Sequence, residues 1–244
     1  KSLYYYYSEL DRIYLDMLEK AGVELFNGRG VLVDPHTVEI CGSVITAETI
    51  LIATGGWPFR PNVSGVAHSI TSNEAFHLEN LPRRVLVVGG GYIATEFAGI
   101  FNGLGSQVTQ LYRGKQLLRG FDNDVSMMVA QEIVKKGVNL MLECEVESIT
   151  KSETELHIRF SNGEIILADA VLYATGRHPN THGLGLEKIG IELGDNSAII
   201  VDKYSKTNVP NIYAIGDVTN RMNLTPVAIN EGRAFAETLF GDQP

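Results

Sequence analysis

The chain has 244 residues, 44% hydrophobic and 20% charged, enough to bury the core of one large or two small domains. Its formal net charge of -9 argues against nucleic acid as the main partner, because phosphate contact needs a basic surface, and confines any anion site to a local cluster of cations. No apolar run approaches the roughly 20 residues of a membrane span, and the start, Lys1 to Glu9, has no signal-peptide core, so a cytoplasmic globular protein is expected.

In chain order, Leu10, Ile13, Leu15, Met17 and Leu18 predict a helix from Glu9 to Lys20 that Gly22 stops. The preceding run Tyr4 to Tyr7 fits a helix face packed on a neighbour. Short β-rich runs follow at Val23 to Phe26, Gly30 to Val33, Thr37 to Ile40 and Ser43 to Thr46. Cut by Asp34-Pro35 and Cys41-Gly42, they predict a meander leading into a strand at Thr49 to Ala53. Residues Trp57 to Arg84, with prolines at 58, 61 and 82, read as a connector.

A more regular stretch comes next. A strand at Arg84 to Val88 runs into glycines, and a helix follows with Ile93, Phe97, Ile100, Phe101 and Leu104 on its apolar stripe, ending at Gly105. Then come a strand at Gln107 to Tyr112, a helix from Asp124 to Lys136 stopped by Gly137, and a strand at Val138 to Leu142. This succession is half of a Rossmann unit. A second meander at Glu145 to Thr150, Thr154 to Phe160 and Glu164 to Leu167, with an Asn162-Gly163 hairpin turn, leads to the strand Ala170 to Ala174. A last strand, Asn211 to Ile215, ends in Gly216-Asp217, and a helix runs from Val227 to Leu239.

Two closing strands repeat one pattern. Ala53-Thr54-Gly55-Gly56-Trp57-Pro58 and Ala174-Thr175-Gly176-Arg177-His178-Pro179 each follow a short apolar run. Only the second has a glycine-rich opening ahead of it, so the chain is expected to begin inside a larger protein, past its first glycine loop.

The loop Gly89-Gly90-Gly91-Tyr92-Ile93-Ala94 matches G-x-G-x-x-G/A between a strand and a helix. Gly89 permits the tight turn, Gly91 lets backbone approach a pyrophosphate, and Ala94 lets the helix pack close. Phosphates then meet free N–H groups at the helix N-terminus. An NAD enzyme usually presents an acid at the end of the second strand, whereas this chain presents Arg113, Lys115 and Arg119. Such a cluster suits a 2′-phosphate and predicts NADPH over NADH. Asp217, at a strand end, can accept hydrogen bonds from sugar hydroxyls. The two cysteines, Cys41 and Cys144, form no CxxC or CxxxxC pair and are expected to be buried free thiols. The six histidines have no metal spacing, so no metal site is expected.

These signatures, in this order, resemble the flavin-dependent pyridine nucleotide-disulfide reductases, and in detail the branch that reduces glutathione disulfide. The resemblance rests on Ile50 to Pro58, Val85 to Gly105, Tyr112 to Asp122, Ala174 to Asn180 and Asn208 to Pro244. It implies an α/β, Rossmann-like three-layer FAD/NAD(P)-binding fold with β-meander crossovers and two related nucleotide-binding units. Residues 1–55 would be the C-terminal part of the FAD-binding domain, 56–179 the NADPH-binding domain, and 180–244 a central segment returning to the FAD domain. FAD and NADPH are the implied cofactors, with Gly89, Gly91, Tyr92, Ile93 and Ala94 among the residues that bind NADPH. Asp217 would bind the FAD ribitol, Thr225 would lie near the flavin ring, and Gly30, Thr54 and Gly55 would line the FAD site. Gly176 and Arg177, in the family's Gly-Arg-x-Pro, would approach the cofactors. Tyr92 would gate the nicotinamide pocket, with Glu96 beside the flavin. The whole protein would be a homodimer acting on glutathione disulfide.

The departures from the family are also specific. Its redox-active Cys-x-x-x-x-Cys, its N-terminal glycine loop and its C-terminal His-Glu pair do not occur in these 244 residues, so the chain alone is expected to bind nucleotide without reducing a disulfide. The branch reducing trypanothione disulfide shares the ending around Thr225 to Gly232, and a non-catalytic NADPH-binding module is the alternative from another class. A flavoprotein monooxygenase or ferredoxin reductase fits the run Arg113 to Asp122 poorly.

Overall fold

A computed structural model describes residues 2–241, with side chains from residue 9 onward, so the Tyr4 to Tyr7 side chains lie outside the described residues. The chain forms two compact units, one of residues 58–176 and one assembled from 7–57 and 177–241. Among the described residues, no helix is long and apolar enough to cross a membrane.

Helix α1 (Ser2–Lys20) ends as its sequence dictates. Gly22 takes φ +70°, its N–H donates to the Glu19 carbonyl, and the Val23 N–H reaches back to the Leu18 carbonyl, which satisfies the last carbonyls of the helix. Residues Val23 to Phe26, expected as a strand, are irregular. Val23, Leu25 and Phe26 are exposed there, and with no neighbouring strand among the described residues to complete a ladder, their β propensity has nothing to act through. Strands β1 (Gly30–Asp34), β2 (Thr37–Ile40) and β3 (Ser43–Thr46) form the antiparallel meander. β4 (Ile50–Ile52) follows, and β5 (Gly56–Pro58) lies where the chain leaves this unit.

The unit of residues 58–176 opens with a one-turn α2 (Ser72–Ala75), held by a capping box between Thr71 and Glu74. Its sheet is parallel, in the order β12 (Ala170–Tyr173), β6 (Arg84–Val88), β7 (Gln107–Tyr112), β8 (Asn139–Leu142). Alternation along β6 divides the core. Val85 and Val87 face α3 (Tyr92–Gly103), whose Ala94, Phe97, Ala98 and Phe101 cover that side of the sheet. Leu86 and Val88 face the meander of β9 (Val146–Lys151), β10 (Leu156–Phe160) and β11 (Ile165–Ala168), packing near Ile149, Ile158 and Phe160. Helix, sheet and meander are the three layers. Both faces of β6 are therefore covered, which is why it reads as an unbroken apolar run. Ile100 and Leu104, expected on the buried stripe, are exposed. Ile100 lies on the far flank of the face centred on the two alanines, and Leu104 is already the C-cap of the helix. Helix α4 (Asn123–Lys135) begins at Asp122, whose carboxylate accepts from the Asp124 and Val125 N–H groups.

The other unit closes with β13 (Arg177–Pro179), β14 (Ile212–Ala214) and α5 (Thr225–Phe240). β14 pairs in parallel with β4, Tyr213 opposite Leu51. Residues 180–210, which carry little regular structure, supply much of this core through Leu184, Leu186, Ile191, Ile199 and Val209. Cys41 is exposed, contrary to expectation, because it takes φ +51° in the tight β2–β3 turn, and only Cys144 is buried.

One arginine at the start of β6 ties two acids of the second meander to it. Arg84 donates to Asp169 at 2.5 Å and to Glu155 at 2.9 Å, and holds the Asp169 carboxyl below the usual range. A depressed folded-state pKa contributes stability that is present above the unfolded value, about 4, and is lost as pH falls through the folded one. The difference in urea midpoint between the wild type and Arg84→Met is therefore expected at pH 6 and should shrink toward zero as acid protonates Asp169. The groups are partly exposed, so the effect is small.

Candidate functional site

In the unit of residues 58–176, the end of β6 explains its three glycines separately. Gly89 adopts φ +146°, and a Cβ there would lie 2.3 Å from the Ala174 carbonyl oxygen. Gly90 is buried under the Tyr112 ring, 2.4 Å from where a Cβ would stand. Gly91, the N-cap of α3, is exposed and faces open space. Two glycines are thus required by the protein's own packing, and the third leaves room for something else. No side chain caps α3, so its first N–H groups remain available to an anion. Ala94 is fully buried and Ile93 packs partly against the same core. Tyr92 and Glu96, four residues apart, are both exposed on one face of α3.

The loop after β7 folds back on the glycine loop. The Leu118 N–H donates to the Gly90 carbonyl at 2.6 Å, and Leu117 and Leu118 are buried beneath it. Arg113, Lys115 and Arg119 are exposed. Arg113 lies 3.9 Å from Glu145 and Lys115 lies 3.9 Å from Glu143, two acids that sequence reasoning missed because they arrive from the β8–β9 turn. Exposed pairs at this distance contribute under about 1 kcal/mol, so the cations stay available to a dianion.

The second cluster lies in the unit of residues 7–57 and 177–241. After β4 the chain turns at Gly55, φ +69°. Thr54 Oγ1 donates to the Asn180 carbonyl at 2.9 Å, the Asn180 side-chain amide returns a bond to the Thr54 carbonyl at 3.2 Å, and the Asn180 N–H donates to the Gly55 carbonyl at 2.9 Å. The Arg177 guanidinium donates to the Gly56 carbonyl, and its Nε lies 3.9 Å from Asp217 Oδ2. A Cβ on Gly56 would come within 3.4 Å of both side chains, so the glycine admits the pair. Asp217 sits in the one-turn helix Gly216–Thr219 after β14. That turn is pinned to α5, since Glu231 accepts the Gly216 N–H at 2.7 Å and pairs with Arg221 at 2.8 Å.

Thr54, Gly55, Arg177 and Asp217 therefore meet, together with Gly56, Asn180 and Glu231, which were not singled out from sequence. The Asn after His178-Pro179 was the available signal for Asn180. Thr225 is the exposed first residue of α5, which also lacks a side-chain cap. Gly30 stands apart, in the meander opposite Ile40. Gly176, φ +133°, closes the 58–176 unit, its carbonyl accepting the Phe59 N–H at 2.9 Å.

The sequence profile of the family described as pyridine nucleotide-disulphide oxidoreductase matches residues 7–232. Glutathione reductase of Burkholderia cepacia is 49% identical over 234 residues, covering 96% of this chain and 52% of that protein. Glutathione reductase of Nostoc sp. is 49% identical over 245 residues, covering 96% and 53%. Trypanothione reductase of Trypanosoma congolense is 43% identical over 250 residues, covering 97% and 51%. Among solved structures, the HOCl-induced flavoprotein disulfide reductase RclA from Escherichia coli matches with a TM-score of 0.85 at 30% identity, covering 91% of this chain and 52% of that one. The chain spans about half the length of the curated relatives it matches.

Proposed function

The chain belongs to the pyridine nucleotide-disulphide oxidoreductase family, and from that premise we propose that it is the NADPH- and FAD-binding core of a flavoprotein disulfide reductase whose whole protein acts as a homodimer on glutathione disulfide. The observation that carries the coenzyme assignment is the uncapped α3 N-terminus behind Gly91, with Arg113, Lys115 and Arg119 on the loop tied to it. The residues fit both groups. The open space at Gly91 admits a pyrophosphate, and the cations suit a 2′-phosphate. In the second cluster, Asp217 offers a carboxylate already paired with Arg177, able to accept from ribitol hydroxyls.

When bound, nicotinamide and flavin supply the hydride chemistry that no side chain of this chain provides. The chain's own residues bind, orient and shield. Gly89, Gly91, Ile93 and Ala94 shape the phosphate loop. Tyr92, exposed on the first turn of α3, would cover the place of the nicotinamide until NADPH enters, and Glu96 shares its face. Thr54, Gly55 and the Arg177 side chain frame the cluster around Asp217, Gly176 closes the 58–176 unit, Thr225 stands at the start of α5, and Gly30 lies apart from the cluster in the meander. Three relatives named glutathione reductase are 49%, 49% and 45% identical and two named trypanothione reductase 43% and 47%, and it is the two at 49% that favour glutathione disulfide as the substrate.

Calorimetric titration of the chain with NADPH and NADH tests the coenzyme assignment. NADPH is expected to bind at least about tenfold tighter than NADH, a difference of about 1.4 kcal/mol. Equal affinities would remove the role of the cations, and binding of neither would overturn the assignment.

A further inference from the structure

Strand β7 lies in a parallel sheet covered on both faces, where apolar residues are expected, yet Gln110 stands in it with no exposure. It shares the helix-side face with Val108, under the glycine loop. Its Nε2 donates to the Gly89 carbonyl at 3.1 Å and to Thr95 Oγ1 at 3.3 Å, while its Oε1 is buried without a partner. An apolar side chain of the same length would fill this position without the unpaired Oε1, but it would leave the Gly89 carbonyl without this donor.

The amide accounts for one of three carbonyls in the loop. The Gly89 carbonyl is held by Gln110, the Gly90 carbonyl by the Leu118 N–H, and the Gly91 carbonyl by the Thr95 N–H and Oγ1 at 3.1 Å each. In a trans peptide, C=O and the following N–H point in opposite directions. Fixing these carbonyls against the protein therefore turns the N–H groups of Gly90, Gly91 and Tyr92 away from it, as a row of donors. Two of the anchors are backbone or local to the helix. The first is a side chain reaching across from β7, and it holds a peptide between two glycines that would otherwise rotate freely.

We propose that Gln110 is a positioning residue for the coenzyme pyrophosphate, setting the Gly89–Gly90 peptide so that its N–H faces the phosphate before ligand arrives. The inference rests on the NADPH reading. It acts by preorganisation, so the donor is in place without a reorganisation cost on binding.

The test compares three ligands, by calorimetry, on the whole chain and on Gln110→Met. NADPH and NADH both carry the pyrophosphate, and 2′-AMP carries the adenosine and 2′-phosphate without it. The variant is expected to bind NADPH and NADH each roughly tenfold more weakly, the loss of one well-placed hydrogen bond, and to bind 2′-AMP unchanged. Unchanged NADPH affinity overturns the proposal. So does an equal loss for 2′-AMP, which would mark Gln110 as packing alone. Should Gln110→Met not fold, Thr95→Val removes the hydroxyl that accepts from the amide and also donates to the Gly91 carbonyl, which keeps its Thr95 N–H, and it is expected to give the same pattern at about threefold. Failure of the wild type to bind either dinucleotide is seen before any variant is made and overturns the coenzyme reading itself.

Discussion

Replacing Arg113 and Arg119 together by alanine is expected to remove the preference for NADPH, weakening it about 100-fold while changing NADH by no more than about twofold. Each charge-assisted hydrogen bond from a guanidinium to a phosphate is worth about 1.5–3 kcal/mol, and the two arginines leave the 2′-phosphate only Lys115, a point charge without a fork. The two acids near this loop sharpen the expectation. With Glu143 and Glu145 at 3.9 Å from Lys115 and Arg113, the double variant leaves two carboxylates beside one ammonium, in a chain whose net charge is already -9. The remaining field opposes a dianion. Because all these groups are exposed, the wild-type preference should also narrow as salt rises from about 0.01 to 1 M, where screening shortens from about 30 to 3 Å. Titration of both coenzymes at two salt concentrations checks both statements, and a preference that survives the double substitution would sink the assignment of these arginines.

Legibility in the sequence followed the reach of each interaction. Helix α4 was readable to within a residue because its determinants are local, Asp122 capping the first turn and Gly137 stopping the last. Strands β6 and β12 were readable because burial on both faces writes an unbroken apolar run. Where the decisive partner comes from elsewhere in the chain, local reading failed. Val23 to Phe26 has the composition of a strand and, among the described residues, no strand beside it. Residues 180–210 have almost no periodicity, yet Leu186 and Ile199 sit in the centre of a core, placed by contacts such as the Leu32 N–H donating to the Leu184 carbonyl. The candidate sites divide in the same way. The glycine loop and the cations were visible as motifs, whereas Gln110, Asn180, Glu143 and Glu231 act across distances in sequence that no spacing rule covers.

The connector from Trp57 to Arg84 shows what such a miss conceals, and Gly65→Ala is expected to destabilise the 58–176 unit by about 3 kcal/mol or more. Prolines made this stretch read as a passive link, but it is built into the meander. The Ile149 N–H donates to the Ser64 carbonyl at 2.8 Å, Ser64 bridges Ser148, and Val63 and Val66 pack against the core that holds Ile149 and Phe160. Gly65 stands in this contact at φ +77°, in the left-handed region, and starts the turn Val66–His68. A Cβ there would lie 1.7 Å from the Ile149 carbonyl oxygen and 2.8 Å from its carbon. The obstacle is backbone in a strand, not the end of a flexible side chain, so relief requires separating Ser64 from β9 and breaking the bond between them. Gly99→Ala provides the matched control. It sits inside α3 with nothing within 4 Å of a Cβ, where exchange for alanine is expected to stabilise by about 0.5–1 kcal/mol. Urea unfolding of the two variants should move the midpoint in opposite directions, and a Gly65→Ala midpoint equal to the wild type would mean that the connector is not docked on the meander in solution.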